Sequence, residues 1–434
     1  MTRSINLPYG EESLSVSAPE EAVIDELAAP LFSTDSSEEE LVEKALSEPI
    51  NSRPLRQLVS EGDEVCIITG DVTRLWVRHH VFMPHLLEEL QAGGVELEDI
   101  FVVSATGDHR EQTPQEHAKI VGDEVYAEID VFDHRGRNDE ELVYLGHTPL
   151  DTPVHLNRRV AAADKIVLTG GIVHHFLAGF GGGGKAILPG VSGYETIMKN
   201  HSLALADKVG EGINPDVAAG KKEGNPCYKD IVAGAQMVRP TFLINTIVDS
   251  SQHRIIDVVA GEMLPAHDQG CRKVDKIFGV SINSRSELVL ASCGGYPKDI
   301  NLYQTYKTIY NARQAVQSGG TMLIVSECCE GMGNDDFASM LLTYSDSEKR
   351  EKALRDSFTI GGYMALHLTL MAQEYDILLV SDLPEGTLQE TGIKSYSSVE
   401  SAWKDIVEKF GEVPPFYLMP TGEAFPRVSS EQQQ

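Results

Sequence analysis

Three histidines, one lysine and a run of glycines are the residues best placed to do chemistry in this chain. His109 closes the polar stretch Gly107-Asp108-His109, His175 lies ten residues before Lys185, and His201 follows that lysine by sixteen. Imidazole titrates near neutral pH, so two histidines facing one another across a substrate can exchange the roles of acid and base. A third can ligate a transition metal through a neutral ring nitrogen. Taken singly, each is more often structural. The sequence has no H-E-x-x-H or facial-triad spacing, so residue types alone assign no metal.

The stretch from Gly179 through Lys185 fits G-x-x-x-x-G-K, the phosphate-cradling pattern. The fit breaks at Ala186, where a Ser or Thr would hold Mg²⁺, and at Pro189, which suits no long helix. The physics of the glycines survives that rejection. Gly181, Gly182, Gly183 and Gly184 let backbone N–H groups approach a ligand that side chains would block. A lysine beside them holds an anionic or electrophilic partner and, when desolvated, can anchor it covalently. The flanking Phe176, Leu177, Phe180, Ile187 and Leu188 would bury the loop's ends.

Short apolar runs must position these groups. Val65–Thr69, Ile100–Ser104, Lys165–Thr169 and Thr241–Val248 read as buried strands, with helices at Phe82–Ala92 and Val191–Ala206 between them. That alternation predicts an α/β fold with mostly parallel sheets, whose chemistry sits in loops at the carboxyl ends of strands. Those loops read Asp71-Val72-Thr73-Arg74, Thr106-Gly107-Asp108-His109-Arg110 and the glycine stretch. Gly261 to Lys273 reads as a linker. A second α/β set follows, with strands at Lys276–Val280, Glu287–Ala291, Thr321–Ser326 and Asp376–Ser381 and helices at Ser347–Phe358 and Ser397–Phe410. Residues 33–40 read as a solvated turn or helix start, and Ser429 to Gln434 as a disordered tail.

The chain's 434 residues exceed one ordinary core and point to two domains. Lys and Arg total 36 against 66 Asp and Glu, a formal charge of −30 that opposes nucleic acid and anionic membranes as partners. No apolar run approaches the ~20 residues of a membrane span, and no signal peptide is visible. Six scattered cysteines without a C-x-x-C pair fit a reduced, cytoplasmic setting. No convincing G-x-G-x-x-G turn supports an NAD-dependent 2-hydroxy-acid dehydrogenase.

Together these parts resemble the nickel-pincer lactate racemase family over nearly the whole chain. The resemblance is carried by Asp71-Val72-Thr73-Arg74, Ala105 through Arg110, His175 through Gly190, His201, and Gly294-Gly295-Tyr296-Pro297 leading to Asn301 through Lys307. It implies a racemase or epimerase that inverts the α-carbon of a small anionic 2-hydroxy acid. Lys185 would carry a nickel-pincer nucleotide covalently, loaded with the help of cofactor-synthesis proteins, with Asp71 and the glycines Gly181 to Gly184 around it. His201 would ligate nickel, His109 and His175 would serve as the two acid/bases, and Arg74, Tyr303, Gln304 and Lys307 would hold substrate.

Departures leave the substrate open between lactate and a larger or dicarboxylic acid such as malate. Related sequences often read Gly-Gly-Arg-Lys where this chain has Gly183-Gly184-Lys185, and can carry Trp near Phe358. His174 adds an imidazole beside His175, and Lys298 could meet a second carboxylate. A non-catalytic carrier of the same cofactor would keep Lys185 and His201 but need neither His109 nor Arg74. The expected architecture is two α/β domains with an active-site cleft between them. Residues 1–272 would form the cofactor-binding and catalytic domain, with the tail 415–434 packed back on it, and 273–414 the closing domain. The sequence sets no oligomeric state.

Overall fold

The computed structural model describes residues 1–28, 34–249 and 252–429. The chain divides into two compact units. One comprises Phe32–Leu205 and Asn214–Lys276; the other comprises Met1–Leu31, Ala206–Ile213 and Ile277–Gln434.

The first unit is built on a six-stranded sheet. Its spatial order is Arg254–Gly261, Phe242–Asp249, Lys165–Gly171, Val65–Gly70, Ile100–Ala105, Asp130–Asp133. Only the pair at one edge, Phe242–Asp249 with Arg254–Gly261, is antiparallel. Both faces are covered, so the central strands are mostly apolar. Val65 and Ile67 enter one core with Phe82, Leu86 and Leu90 of the helix His79–Ala92, while Cys66 and Ile68 enter the other with Ile187 and Val191. From Val65–Gly70 the chain runs outward through Ile100–Ala105 and Asp130–Asp133, then returns to Lys165–Gly171 on the other side. The strand order reverses there, which opens the crevice where α/β sheets bind ligands.

The second unit has an all-parallel sheet in the order Lys394–Tyr396, Asp376–Val380, Val316–Val325, Ser286–Ser292, Phe416–Met419, Val23–Glu26. This corrects the expected place of the tail. Phe416 and Leu418 alternate into the core beside Leu288 and Leu290, so the tail completes this sheet instead of packing on the other unit. The N-terminal residues belong to this unit too: Val23–Glu26 is the sheet's edge strand, and the separate hairpin Thr2–Tyr9 with Glu12–Pro19 puts Ile5, Leu7, Val16 and Ala18 into the same core.

The stretch read as a linker is a helix, Met263–Phe278. Pro265 falls in its first turn, where a missing N–H costs little, and Gly270 lies where the helix crosses Ile172, whose Cδ1 would stand 2.2 Å from an added Cβ. The strand expected from Lys276 begins only at Gly279. Ser37 caps the helix Glu38–Ser47 through a capping box. The Ser429 N–H is bonded to Ile282 O, and residue 33 and residues 430–434 lie outside the described part. No helix among the described residues is long and apolar enough to cross a membrane.

Candidate active site

The loop after Val65–Gly70 turns at Asp71, which caps the short helix Val72–Val77 by accepting from Thr73 N at 3.0 Å. The Thr73 hydroxyl also donates to Asp71, at 2.5 Å. The remaining oxygen, Oδ2, accepts from His109 Nδ1. Burial alone would push the Asp71 carboxyl up. The bonds from His109 and Thr73 and the nearby Arg74 charge hold it below its usual value instead. A carboxylate only accepts, so the His109 proton sits on Nδ1 and the lone pair on Nε2. The His109 side chain is 51% exposed, so that nitrogen can meet a substrate. Arg74 does not bond Asp71 directly: its Nη1 donates to Thr73 Oγ1 at 2.9 Å.

Neighbouring cations are already paired. Arg110 is held by Glu116, Arg135 by Glu111 and Glu141, and Arg137 by Asp108. Among the described residues Arg74 has no ion pair, which leaves it able to take a substrate carboxylate.

The glycine loop leaves the strand Lys165–Gly171 on the other side of the crevice. It passes through a two-residue hairpin that pairs His174 with Phe180 and His175 with Gly179. Gly183–Ala186 then form one 3-10 turn carrying Lys185. Among the described residues nothing hydrogen-bonds or ion-pairs the Lys185 ammonium. Burial, reinforced by the Arg74 charge, pulls its proton affinity down to about 8. An amine poised there is a good nucleophile and anchor.

His201 lies in the last turn of the helix Tyr194–Ser202, 5% exposed. Its Nδ1 donates to Ile197 O at 2.8 Å, which leaves Nε2 with the lone pair. Burial and the Lys185 charge lower its pKa to about 3, so the ring is neutral, the form that binds metal. A hydrogen bond joins His109 to Asp71, the Arg74 charge acts on both Asp71 and Lys185, and the Lys185 charge acts on His201. The donor set fits the cofactor that the resemblance implies: a free amine beside a glycine turn, and a neutral imidazole oriented by a carbonyl.

His175 has the opposite arrangement to His109. Its Nδ1 accepts from Leu177 N at 3.1 Å and Ala178 N at 3.2 Å, and its ring stacks on Phe176. His174 instead bonds Asp275 at 2.8 Å, which gives it a structural tie. Tyr303, Gln304 and Lys307 belong to the other unit, on the helix Leu302–Ala312, capped by Asn301. Leu302, Thr305, Tyr306 and Ile309 face the core, and Lys307 Nζ donates to Gln304 Oε1 at 2.6 Å on the open side. Lys298 is engaged by Glu423 at 2.7 Å. Phe358 is buried against Tyr363, with ring centroids 6.2 Å apart.

Sequence reasoning missed several supporting residues. Asp133 accepts from Gln112, and Gln112 Oε1 accepts from Val72 N at 2.5 Å, which ties the His109 loop to the Asp71 turn. Asn245 and His267 hold the glycine turn. His267 fell in the stretch read as linker, and Asn245 is the one amide within an apolar strand, a signal that was available.

Family models for the lactate racemase N-terminal domain and the lactate racemase C-terminal domain match residues 9–212 and 282–424. The lactate racemase of Thermoanaerobacterium thermosaccharolyticum is 33% identical over 336 residues, 77% of this chain and 76% of that one. That of Lactiplantibacillus plantarum is 31% identical over 397 residues, 89% of this chain and 90% of that one. The solved structure of the lactate racemase apoprotein from Thermoanaerobacterium thermosaccharolyticum superposes with a TM-score of 0.86 at 28% identity, covering 98% of this chain and all of that one. A Thermotoga maritima protein shares the fold, with a TM-score of 0.62 at 18% identity.

Proposed function

The chain belongs to the lactate racemase family, and we propose that it interconverts the enantiomers of lactate by removing and returning hydrogen at the α-carbon. The observation that carries this reading is the linked set His109–Asp71–Arg74–Lys185–His201 at the carboxyl edge of one sheet. A dehydrogenase needs no nucleophilic lysine beside a buried neutral histidine, and a carrier needs no carboxylate-backed histidine.

In this reading Lys185 would hold a nickel-pincer nucleotide through its amine, and His201 Nε2 would be the side-chain ligand offered to the nickel. The cofactor, when bound, supplies the hydride acceptor and donor. Every other step falls to side chains of this chain. Arg74 takes the substrate carboxylate, a role that suits a planar guanidinium. His109 Nε2 takes the hydroxyl proton of one enantiomer, and Asp71 stabilises the imidazolium that forms. Loss of hydride and proton leaves a planar 2-oxo acid. His175 serves the other enantiomer, whose hydroxyl lies on the opposite side. To act as a base there, its ring proton would have to pass from Nε2 to Nδ1, with the two backbone N–H bonds that Nδ1 accepts given up, so that the Nε2 lone pair is free. The part of Tyr303, Gln304 and Lys307 in holding substrate is proposed from the resemblance alone. Loading of Lys185 by cofactor-synthesis proteins is proposed on the same ground.

The test is direct. Holoenzyme incubated with pure D- or L-lactate should erase optical purity without added NAD, and Lys185→Ala should lose both that activity and the cofactor mass. Retention of optical purity by chains that carry the cofactor would overturn the reading.

A further inference from the structure

Two buried polar side chains reach the glycine turn from separate elements, and the proposed reaction gives neither of them a role. Asn245 comes from the strand Phe242–Asp249 and is fully buried; its Oδ1 accepts from Gly183 N at 2.8 Å, and its Nδ2 donates to Ile244 O at 2.9 Å. His267 comes from the helix Met263–Phe278 and is 2% exposed; its Nε2 donates to Gly181 O at 2.9 Å. The two bonds bracket Gly182, whose carbonyl accepts from Lys185 N at 3.2 Å.

The glycines and these two residues are matched in shape. Gly182 and Gly183 have φ of +72° and +59°, which L side chains rarely adopt. A Cβ at Gly182 would stand 2.5 Å from Asn245 Oδ1, and one at Gly183 would stand 2.8 Å from the His267 ring. The turn needs glycine because Asn245 and His267 press on it. A buried amide and a buried imidazole are costly unless their bonds are made, so they persist where they fix geometry. A flexible glycine run would otherwise let Lys185 wander.

We infer that Asn245 and His267 are positioning residues that clamp the glycine turn and thereby aim Lys185 at its cofactor. The inference rests on the reading of Lys185 as the anchor. His267→Phe keeps the ring and deletes the donor; His267→Gln can still reach the Gly181 carbonyl; Asn245→Leu deletes the acceptor. The first readout is intact mass after co-production with the loading proteins. Occupancy of Lys185 should fall roughly tenfold in His267→Phe and Asn245→Leu and recover in His267→Gln, since misplacement of about 1 Å can cost 10²-fold. The second readout needs no cofactor. In cofactor-free protein, the rate of Lys185 acylation by an amine-selective reagent, relative to the exposed Lys199, should change in both deletion variants and return in His267→Gln. A native unfolding midpoint with unchanged acylation ratio and occupancy in both variants would overturn the clamp. If one variant does not fold, the other carries the test. A wild-type chain with a distinctive acylation ratio but no cofactor mass would sink the anchor reading while leaving the clamp readable.

Discussion

The Asp71 carboxylate accepts the Nδ1 proton of His109, and that bond decides which ring nitrogen carries the proton and which the lone pair. In Asp71→Asn the amide can turn its NH₂ toward the ring and favour the tautomer with the proton on Nε2. That tautomer cannot take a hydroxyl proton. The expected result is a fall in kcat of about 10²–10⁴, the range for a lost acid/base group, with cofactor occupancy unchanged. Steady-state rates normalised to occupancy by intact mass check it. If occupancy falls with the rate, Asp71 acts on the cofactor and not through His109.

Arg74 is the cation near His109 that no carboxylate claims among the described residues, and its Nη1 is steadied by Thr73. Its removal should weaken substrate binding by a charged hydrogen-bond pair, about 1.5–3 kcal/mol. Arg74→Ala should therefore raise KM for lactate by roughly tenfold to a hundredfold. Arg74→Lys should recover only part, because an ammonium is a point charge without the planar fork. Saturation curves in both directions of the reaction measure this.

Much of this could be read from residue order, for a physical reason. Strand carboxyl ends are marked by polar residues after apolar runs, so Asp71, His109 and the glycine stretch announce themselves locally. The long-range partners do not. Whether Phe416 pairs with the first or the second sheet depends on a register no local window contains, and the tail was misassigned. Gly261 to Lys273 reads as a linker because Pro265 and Gly270 are usual breakers, although in the helix Met263–Phe278 one falls in the first turn and the other at a helix crossing. His267 was lost with that helix. No local window sets Lys298 beside Glu423, which lies far along the chain.

Buried histidines that refuse a proton, among them His79 and His267, should make the fold acid-sensitive. His79 accepts from Gly70 N at 3.2 Å behind the Asp71 turn, and burial lowers its pKa from 6.5 to about 3; burial lowers that of His267 to about 4. The unfolded chain takes these protons near pH 6.5, whereas the folded chain refuses them until far lower. Stability is therefore whole above about 6.5 and falls as pH drops, by about 1.4 kcal/mol per pH unit for each histidine. The loss levels off only below about pH 4 for His267 and pH 3 for His79. Denaturant unfolding between pH 7 and pH 5 should show a shallower slope in His267→Gln than in the wild type. An equal slope would mean that His267 is protonated in the folded chain.

The ion pair of Lys298 with Glu423 bears on the expectation that Lys298 meets a second substrate carboxylate. A dicarboxylic substrate needs a second cation beyond Arg74. Lys298 is the sequence's candidate for it, but its ammonium is already balanced by a carboxylate 2.7 Å away. Recruiting it would expose Glu423 to the incoming anion, trading one pair for another with no gain in charge. Both side chains are more than a third exposed, so the pair itself is worth about 0–1 kcal/mol, and its loss should hardly move the unfolding midpoint. Lys298→Ala should accordingly leave kcat/KM for lactate and the ratio of malate to lactate turnover within about twofold of wild type. Glu423→Gln, which frees the ammonium, should be the variant that improves malate. A panel of 2-hydroxy acids differing in terminal charge decides between the two arrangements. A selective loss of malate turnover in Lys298→Ala would show that Lys298 abandons Glu423 for the substrate.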